Sequence, residues 1–138
     1  MVKLSLIALI AFSGVLISTA YAQNNVSDFI TNMHFDAKDM DTNKDHMISR
    51  DEMQAYAEKM WASMSNGKST IPIALSTENF ATAGVNMDAV AMDTDNDGSI
   101  SKQEFVAYTL KRYDAMPKTN GMVSVDVMAK AFVRVASN

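Results

Sequence analysis

The most constraining feature of this chain is a twelve-residue acidic segment, 93–104, with the sequence DTDNDGSISKQE. Oxygen-bearing side chains alternate through its first half, and glycine, isoleucine and glutamate follow at the sixth, eighth and twelfth positions. Calcium takes about six to eight hard oxygen ligands, and alternate residues of a tight turn direct their oxygens at one centre. A merely solvated aspartate-rich turn does not require the later glycine, isoleucine and glutamate. The segment therefore predicts a calcium-binding loop.

The ligands of this first predicted site come from six positions of the loop. They are the carboxylates of Asp93, Asp95 and Asp97, the backbone carbonyl of Ser99, the hydroxyl of Ser101 or a water held by it, and the bidentate carboxylate of Glu104. Gly98 stands where the chain turns sharply, because glycine enters a positive φ without steric cost. Ile100 is expected to point away from the metal into a core.

A second copy of the pattern begins 52 residues upstream, since segments 35–60 and 87–112 are identical at 12 of 26 positions. It predicts a second calcium loop at 41–52. The corresponding ligands are Asp41, Asn43, Asp45, the Met47 carbonyl, Ser49 and Glu52.

The second loop departs from the pattern at His46, which stands in place of glycine. A non-glycine residue in the left-handed region costs about 1–2 kcal/mol, which corresponds to about a tenfold loss of affinity. Asn43 also removes one negative charge. We therefore expect a working but weaker site.

Each predicted calcium loop is followed by a degenerate one that lacks carboxylates at the ligand positions. In the first degenerate loop, the expected register puts Lys68 at position 1, Leu75 at position 8 and Asn79 at position 12. In the second, Gly121, Val123 and Val127 take positions 6, 8 and 12, counted from Met116. Such loops are expected to support their neighbours through short antiparallel strands, with Ile48 opposite Leu75 and Ile100 opposite Val123.

These motifs make the chain resemble a small bacterial secreted EF-hand protein of the calmodulin-like superfamily over about residues 28–136. The resemblance implies an all-α fold of two paired helix–loop–helix units, at about 28–83 and 84–136. It also implies two active and two degenerate hands, joined by short loop–loop β-bridges. The loop starts lie only 23–27 residues apart, so the helices between them must be short or shared.

The loop sequences also bear on the choice of ion. Lanthanide-binding EF-hand proteins with closely spaced hands carry proline at position 2 and an acidic residue at position 9. Here Thr42 and Thr94 hold position 2, while Ser49 and Ser101 hold position 9. The resemblance therefore implies Ca²⁺ as the ion and disfavours a lanthanide.

The amino terminus predicts export. Lys3 is followed by a mostly apolar stretch, 4–17, and by Ala20-Tyr21-Ala22, a small-x-small cleavage site. We expect a signal peptide at 1–22 and an EF-hand domain at 23–138, in the periplasm or secreted, with no stable membrane anchor after cleavage. An uncleaved anchor is the alternative. The chain has no cysteine, so neither a lipid anchor at the cleavage point nor a disulfide is expected.

Composition narrows the classes of partner. The formal charge of the whole chain is −4, and loss of Lys3 makes it −5. Without a basic patch, nucleic acid is not an expected partner. An enzyme is not expected either, since no nucleophile–base pair stands out and most candidate carboxylates belong to the loops.

The predicted mature chain contains eleven methionines, a number that leaves three interpretations open. They can fill a core, line a soft groove for a partner helix, or ligate Cu(I), although no tight methionine cluster favours copper. The function expected is calcium binding, as a buffer or a sensor. The alternative is an adaptor or inhibitor that binds an unidentified protein partner and uses its EF-hands mainly as scaffold.

Overall fold

The computed structural model describes residues 36–132, which contain six helices and four short strands. The predicted signal peptide and the segment 23–35 lie outside the described residues. The helices are α1 (Ala37–Met40), α2 (Arg50–Ser65), α3 (Ile73–Thr82), α4 (Ala89–Met92), α5 (Lys102–Asp114) and α6 (Val125–Phe132). The strands are β1 (Met47–Ile48), β2 (Thr70–Pro72), β3 (Ser99–Ser101) and β4 (Val123–Ser124). The predominantly helical class is as predicted.

The two longest helices begin in the same way. Ser49 and Ser101 are N-caps, and each forms a capping box with the glutamate three residues later, Glu52 or Glu104. A capping box satisfies two backbone N–H groups that a helix start leaves without partners. The glutamate at loop position 12 therefore also marks the first turn of the following helix.

Neighbouring loops share the helices between them. α2 follows the loop at 41–52 and leads into β2, and α5 follows the loop at 93–104 and leads into β4. The 16 residues of α2 extend about 24 Å at 1.5 Å per residue. α2 and α5 pack against each other, and the contacts Arg50–Asp114 and Trp61–Phe105 show that they run in opposite directions. Arg50 at the start of α2 forms an ion pair with Asp114 at the end of α5, at 3.1 Å between Nε and Oδ1.

The strand partners differ from the predicted ones. β1 pairs with β4, with Ile48 opposite Val123, and β2 pairs with β3, with Ile71 opposite Ile100. The predicted pairs Ile48–Leu75 and Ile100–Val123 are therefore wrong. Because α2 separates β1 from β2 by its whole length, the two loops of one half lie at opposite ends of that helix and each pairs with a loop of the other half.

The register of the first degenerate loop also differs from the prediction. Ile71, not Leu75, is the bridging residue, and Leu75 lies inside α3. Counting back from Ile71 puts position 1 at Met64, in the last turn of α2. Asn79, expected at position 12, instead lies on the second turn of α3. The register of the last loop is as predicted, since Val123 is its bridging residue.

The two sheets are related by the 52-residue repeat. A shift of 52 residues takes Ile48 to Ile100 and Ile71 to Val123. The pair Ile48–Val123 in one sheet therefore corresponds to the pair Ile100–Ile71 in the other. The two halves therefore interlock: neither sheet exists within one half alone.

The core lies between α2 and α5 and is closed by the shorter helices. α1 packs against α6, and α3 against α4. The ring centroids of Trp61 and Phe105 are 5.9 Å apart. Methionine contributes heavily to this core, as one of its three interpretations predicts. The buried methionines are Met40, Met53, Met60, Met64, Met92 and Met128.

No helix within residues 36–132 is long and apolar enough to cross a membrane.

Candidate metal centre

Three aspartates of the loop at 93–104 converge. One carboxylate oxygen from each of Asp93, Asp95 and Asp97 lies within 4.8 Å of the others. Calcium–oxygen bonds measure about 2.3–2.6 Å, so ligands on opposite sides of one ion are about 5 Å apart. The three side chains therefore fit a single calcium ion.

The backbone of the loop is folded around these carboxylates. Asp93 accepts hydrogen bonds from the backbone N–H groups of Asp97 and Gly98, at 3.2 and 3.0 Å. Asp97 in turn accepts one from the N–H of Ser99, at 2.8 Å. Each bond directs a backbone N–H at a negatively charged oxygen, and these bonds hold the carboxylates in position.

Glu104 closes the loop from the other end. Its Oε1 accepts from the N–H and the hydroxyl of Thr94, at 2.9 and 3.2 Å, and its Oε2 accepts from the N–H of Ser101 at 2.9 Å. The hydrogen bond from the Ser101 backbone is the main cause that lowers the pKa of Glu104, to about 2, against the opposing effect of burial. Glu104 therefore stays ionised well below neutral pH. It lies outside the three-aspartate cluster.

Ser101, predicted to offer a hydroxyl or a water at position 9, caps α5. Its Oγ donates to Glu104 Oε2 at 2.9 Å and accepts from the Glu104 N–H at 3.3 Å. Its contribution to metal binding stays a prediction, as does that of Ser49, which makes the same contacts with Glu52.

The negative charges of the loop act on one another. The hydrogen bond from the N–H of Asp97 lowers the pKa of Asp95. Burial, a hydrogen bond with the side chain of Asp93, and repulsion from the carboxylates of Asp97 and Glu104 together outweigh it, so the pKa of Asp95 is raised. A divalent cation among these groups replaces that repulsion with attraction, which favours binding.

The loop at 41–52 repeats this hydrogen-bond pattern almost bond for bond. Asp41 accepts from the N–H groups of Asp45 and His46, at 3.2 and 2.8 Å. Asp45 accepts from the N–H of Met47 at 2.8 Å. Glu52 accepts from the N–H and hydroxyl of Thr42, at 3.1 and 3.0 Å. Burial is the largest single effect on Glu52 and raises its pKa, but the hydrogen bonds from Ser49, Thr42 and Asn43 together outweigh it, so the pKa is lowered.

The second loop differs in its middle ligand. Asn43 accepts the N–H of Asp45 through Oδ1 at 3.1 Å, as Asp95 accepts that of Asp97 at 3.2 Å. Among the described residues, the only cluster of three acidic or histidine side chains close enough for one metal is the one at Asp93. This loop holds its ligands in the same arrangement with one carboxylate fewer.

The prediction of a left-handed residue at position 6 is confirmed, since His46 has φ +65° and Gly98 has φ +85°. Position 4 is left-handed too, at Lys44 with φ +61° and Asn96 with φ +57°, and the sequence reasoning missed it. Asparagine visits this region readily, whereas lysine does not. The loop at 41–52 therefore carries strain at two positions.

The threonines at position 2 were also missed as functional residues, although their repetition as Thr42 and Thr94 was visible. Each holds the carboxylate of the position-12 glutamate through both its N–H and its hydroxyl. They fix the distance between the two ends of each loop.

Each acidic loop is hydrogen-bonded to a degenerate loop of the other half. The N–H of Ile73 donates to the carbonyl of Gly98, and the N–H of Val125 donates to the carbonyl of His46, both at 3.2 Å. The degenerate loops thus hold the sixth position of each acidic loop, where the chain turns.

Comparison with known proteins agrees with this geometry for one loop. Residues 90–107 match the family described as EF hand. No curated protein and no solved structure matches the chain significantly. The match supports the EF-hand calcium-binding family, and with the aspartate cluster it indicates a divalent-cation site suited to Ca²⁺.

Proposed function

We propose that this protein binds two calcium ions, one in each acidic loop, and that it acts as a calcium buffer or sensor in the periplasm or outside the cell. The observation that carries the proposal is the convergence of Asp93, Asp95 and Asp97 within 4.8 Å. The matching hydrogen-bond pattern around Asp41 supports extending it to the second loop. Export rests on the predicted signal peptide at 1–22, and the protein is proposed to be a binding protein and not an enzyme.

Calorimetric titration of the mature chain, 23–138, with calcium tests the number of sites. We expect two ions per chain. Glu104→Gln and Glu52→Gln should each remove one binding phase, because each replaces a charged position-12 ligand with a neutral amide. Glu78→Gln is the matched control, since Glu78 is exposed on α3. A titration with no binding, or with four ions, would contradict the proposal.

Buffer and sensor roles are separated by the response of the core. Trp61 is buried against Phe105, the residue that follows Glu104. A sensor should change Trp61 fluorescence and bind an apolar-surface dye when calcium is added, whereas a buffer should change little. If the protein captures a partner equally well with calcium or EDTA, the adaptor alternative replaces both roles.

A further inference from the structure

α3 is attached to both flanks of the acidic loop at 93–104. The N–H of Ile73, its first residue, donates to the carbonyl of Gly98 in that loop at 3.2 Å. α3 packs mainly against β2, β3 and α4. β3 lies within the acidic loop, and α4 ends at Met92, one residue before the first ligand. The surface on which α3 rests is therefore formed by the segments that a bound calcium ion would hold together.

The buried side of α3 is polar where the related helices are apolar. Five residues after the bridging residue, those helices place Met53, Phe105 and Met128, all fully buried. The corresponding residue of α3 is Ser76, and Asn79 is buried one turn further along. Within residues 36–132, neither the Ser76 Oγ nor the Asn79 Oδ1 has a hydrogen-bond partner. An unpaired buried polar atom loses its hydration without compensation, so both atoms favour a form in which α3 meets water.

The two ends of α3 are weakly fixed. Its N-cap residue is Pro72, which offers no side-chain hydrogen bond to the helix, so the first backbone N–H groups lack that stabilisation. Gly84, two residues beyond the end of α3, has φ +68°, and no atom lies within 4 Å of the place that a Cβ would occupy. The chain can therefore pivot at Gly84 without a steric clash.

α6, which the 52-residue repeat relates to α3, is held more firmly. The hydroxyl of Ser124 accepts the N–H of Val127 at 3.3 Å and so caps the helix. Met128 fills the core position that Ser76 occupies in α3. α6 therefore has both the cap and the apolar anchor that α3 lacks.

Arg112 adds a further attachment at the end of α6. It donates to the carbonyl of Ala131 at 2.7 Å, and its guanidinium carbon lies 4.2 Å from the ring centroid of Phe132. The residue that corresponds to Arg112 in the first half is Met60, whose side chain has no hydrogen to donate. The repeat thus provides two related helices of unequal stability.

We propose that α3 is a calcium-controlled element, which stays docked while calcium occupies the loop at 93–104 and opens locally when calcium leaves. The proposal rests on calcium binding by that loop. α2, α5 and α6 stay folded during the opening, because a local opening costs less free energy than unfolding of the whole domain. Opening uncovers Phe80, which is 1% exposed in the docked form. The protein therefore presents apolar surface without calcium and covers it with calcium.

Hydrogen exchange of backbone amides tests the proposal. The amides of 78–80 in α3 and of 130–132 in α6 are a matched set, since they correspond in the repeat. The mature chain, 23–138, is measured in EDTA and in calcium at about a hundred times its dissociation constant, with rates corrected for intrinsic exchange. Calcium should slow exchange at 78–80 by up to about a hundredfold. In EDTA, these amides should exchange about tenfold faster than those of 130–132, because of the unpaired buried groups.

Two pairs of variants separate the causes. Glu104→Gln should keep exchange at 78–80 fast even in calcium, whereas Glu52→Gln should leave it slow. Ser76→Ala removes the unpaired hydroxyl and should slow exchange at 78–80 in EDTA about tenfold. Thr77→Ala, at an exposed position of the same helix, should slow it only about threefold, because it raises helix propensity without removing a buried group. The comparison of calcium with EDTA on the unchanged chain stands even if a variant folds poorly.

Three results would overturn the proposal. The first is exchange at 78–80 that is the same in calcium and in EDTA. Calorimetry on the same samples then separates two failures: bound calcium contradicts the control of α3 alone, and no binding contradicts the proposed function as well. The second is equal slowing of 78–80 and 130–132 by calcium, since calcium would then stabilise the whole fold. The third is an equal effect of Ser76→Ala and Thr77→Ala, since the buried hydroxyl would then not weaken α3.

Discussion

Ile73 donates its backbone N–H to the carbonyl of Gly98 at 3.2 Å, so the first residue of α3 is bonded to the turn of the acidic loop at 93–104. The two residues belong to different halves of the chain. The same bond recurs, shifted by 52 residues and with the halves exchanged, between Val125 and His46. Each acidic loop is therefore paired with a degenerate loop, and the two acidic loops are not paired with each other.

This arrangement predicts independent calcium sites. The two acidic loops precede opposite ends of the antiparallel α2–α5 pair, and α2 is about 24 Å long, well beyond the Debye length of about 8 Å at physiological salt. Glu52→Gln should leave the calcium affinity of the loop at 93–104 within about twofold, measured by calorimetry. A change of ten times or more would mean that the sites are coupled through the core.

Backbone strain predicts how the weaker loop can be improved. Lys44 and His46 both have positive φ. His46→Gly should raise the affinity of the loop at 41–52 by about tenfold, since the change relieves a backbone strain of about 1–2 kcal/mol.

Lys44→Asn should strengthen the same loop for the same reason. The change also removes a positive charge, and Lys44→Gln controls for this, because it removes the charge without favouring the left-handed region. If Lys44→Gln and Lys44→Asn improve calorimetric affinity equally, charge and not strain is the cause.

The hydrogen bonds of Thr94 to Glu104 predict that loop position 2 contributes to calcium binding. Its hydroxyl donates to Glu104 Oε1 at 3.2 Å. Thr94→Val removes this bond and should weaken calcium binding about fivefold, equivalent to about 1 kcal/mol. Thr94→Ser keeps the hydroxyl and should bind nearly as well as the unchanged chain. A loss in Thr94→Ser with little loss in Thr94→Val would instead assign the effect to the methyl group.

The lowered pKa of Glu104 predicts acid sensitivity of the calcium-free protein. The pKa is about 2 in the folded protein, against an ordinary value of 4.5. A depressed folded pKa stabilises the fold above the unfolded pKa, and this contribution is lost as pH falls from 4.5 towards 2.

Thermal unfolding in EDTA across this pH range measures the effect. The melting temperature should fall as the pH is lowered, and Glu104→Gln should flatten that fall, because the amide does not titrate. A variant profile parallel to that of the unchanged chain would show that Glu104 is not responsible.

Calcium should raise the melting temperature above its value in EDTA, because binding to the folded loops adds to the free energy of unfolding. Magnesium should raise the melting temperature less, since it requires a tighter octahedral shell. Superimposable curves with calcium and EDTA would contradict calcium binding at useful affinity.

The interlocked halves should unfold together. Trp61 fluorescence and far-ultraviolet circular dichroism should therefore report one transition at the same temperature.

Local features of the site were predictable from the sequence. The turn at Gly98, the left-handed His46 and the starts of α2 and α5 depend on residues within a few positions of one another. The alternation of oxygens along 93–104 also sets the aspartate cluster directly, because neighbouring residues of a tight turn cannot lie far apart. Lys44 escaped prediction because lysine gives no sign of a left-handed residue, although Asn96 at the same position of the repeat does.

The partners of the strands were decided by the tertiary structure. Ile48 and Leu75 satisfy the local pattern of a paired loop, yet α2 holds the two loops of its half apart, and Val123 and Ile71 become the bridging partners of Ile48 and Ile100. The burial of Ser76 and Asn79 likewise depends on the packing around α3. The chemistry and shape of each acidic loop follow from the sequence alone, because they depend on contacts between residues a few positions apart. The choice of which loops pair required the tertiary structure, because it depends on the length and the relative direction of α2 and α5.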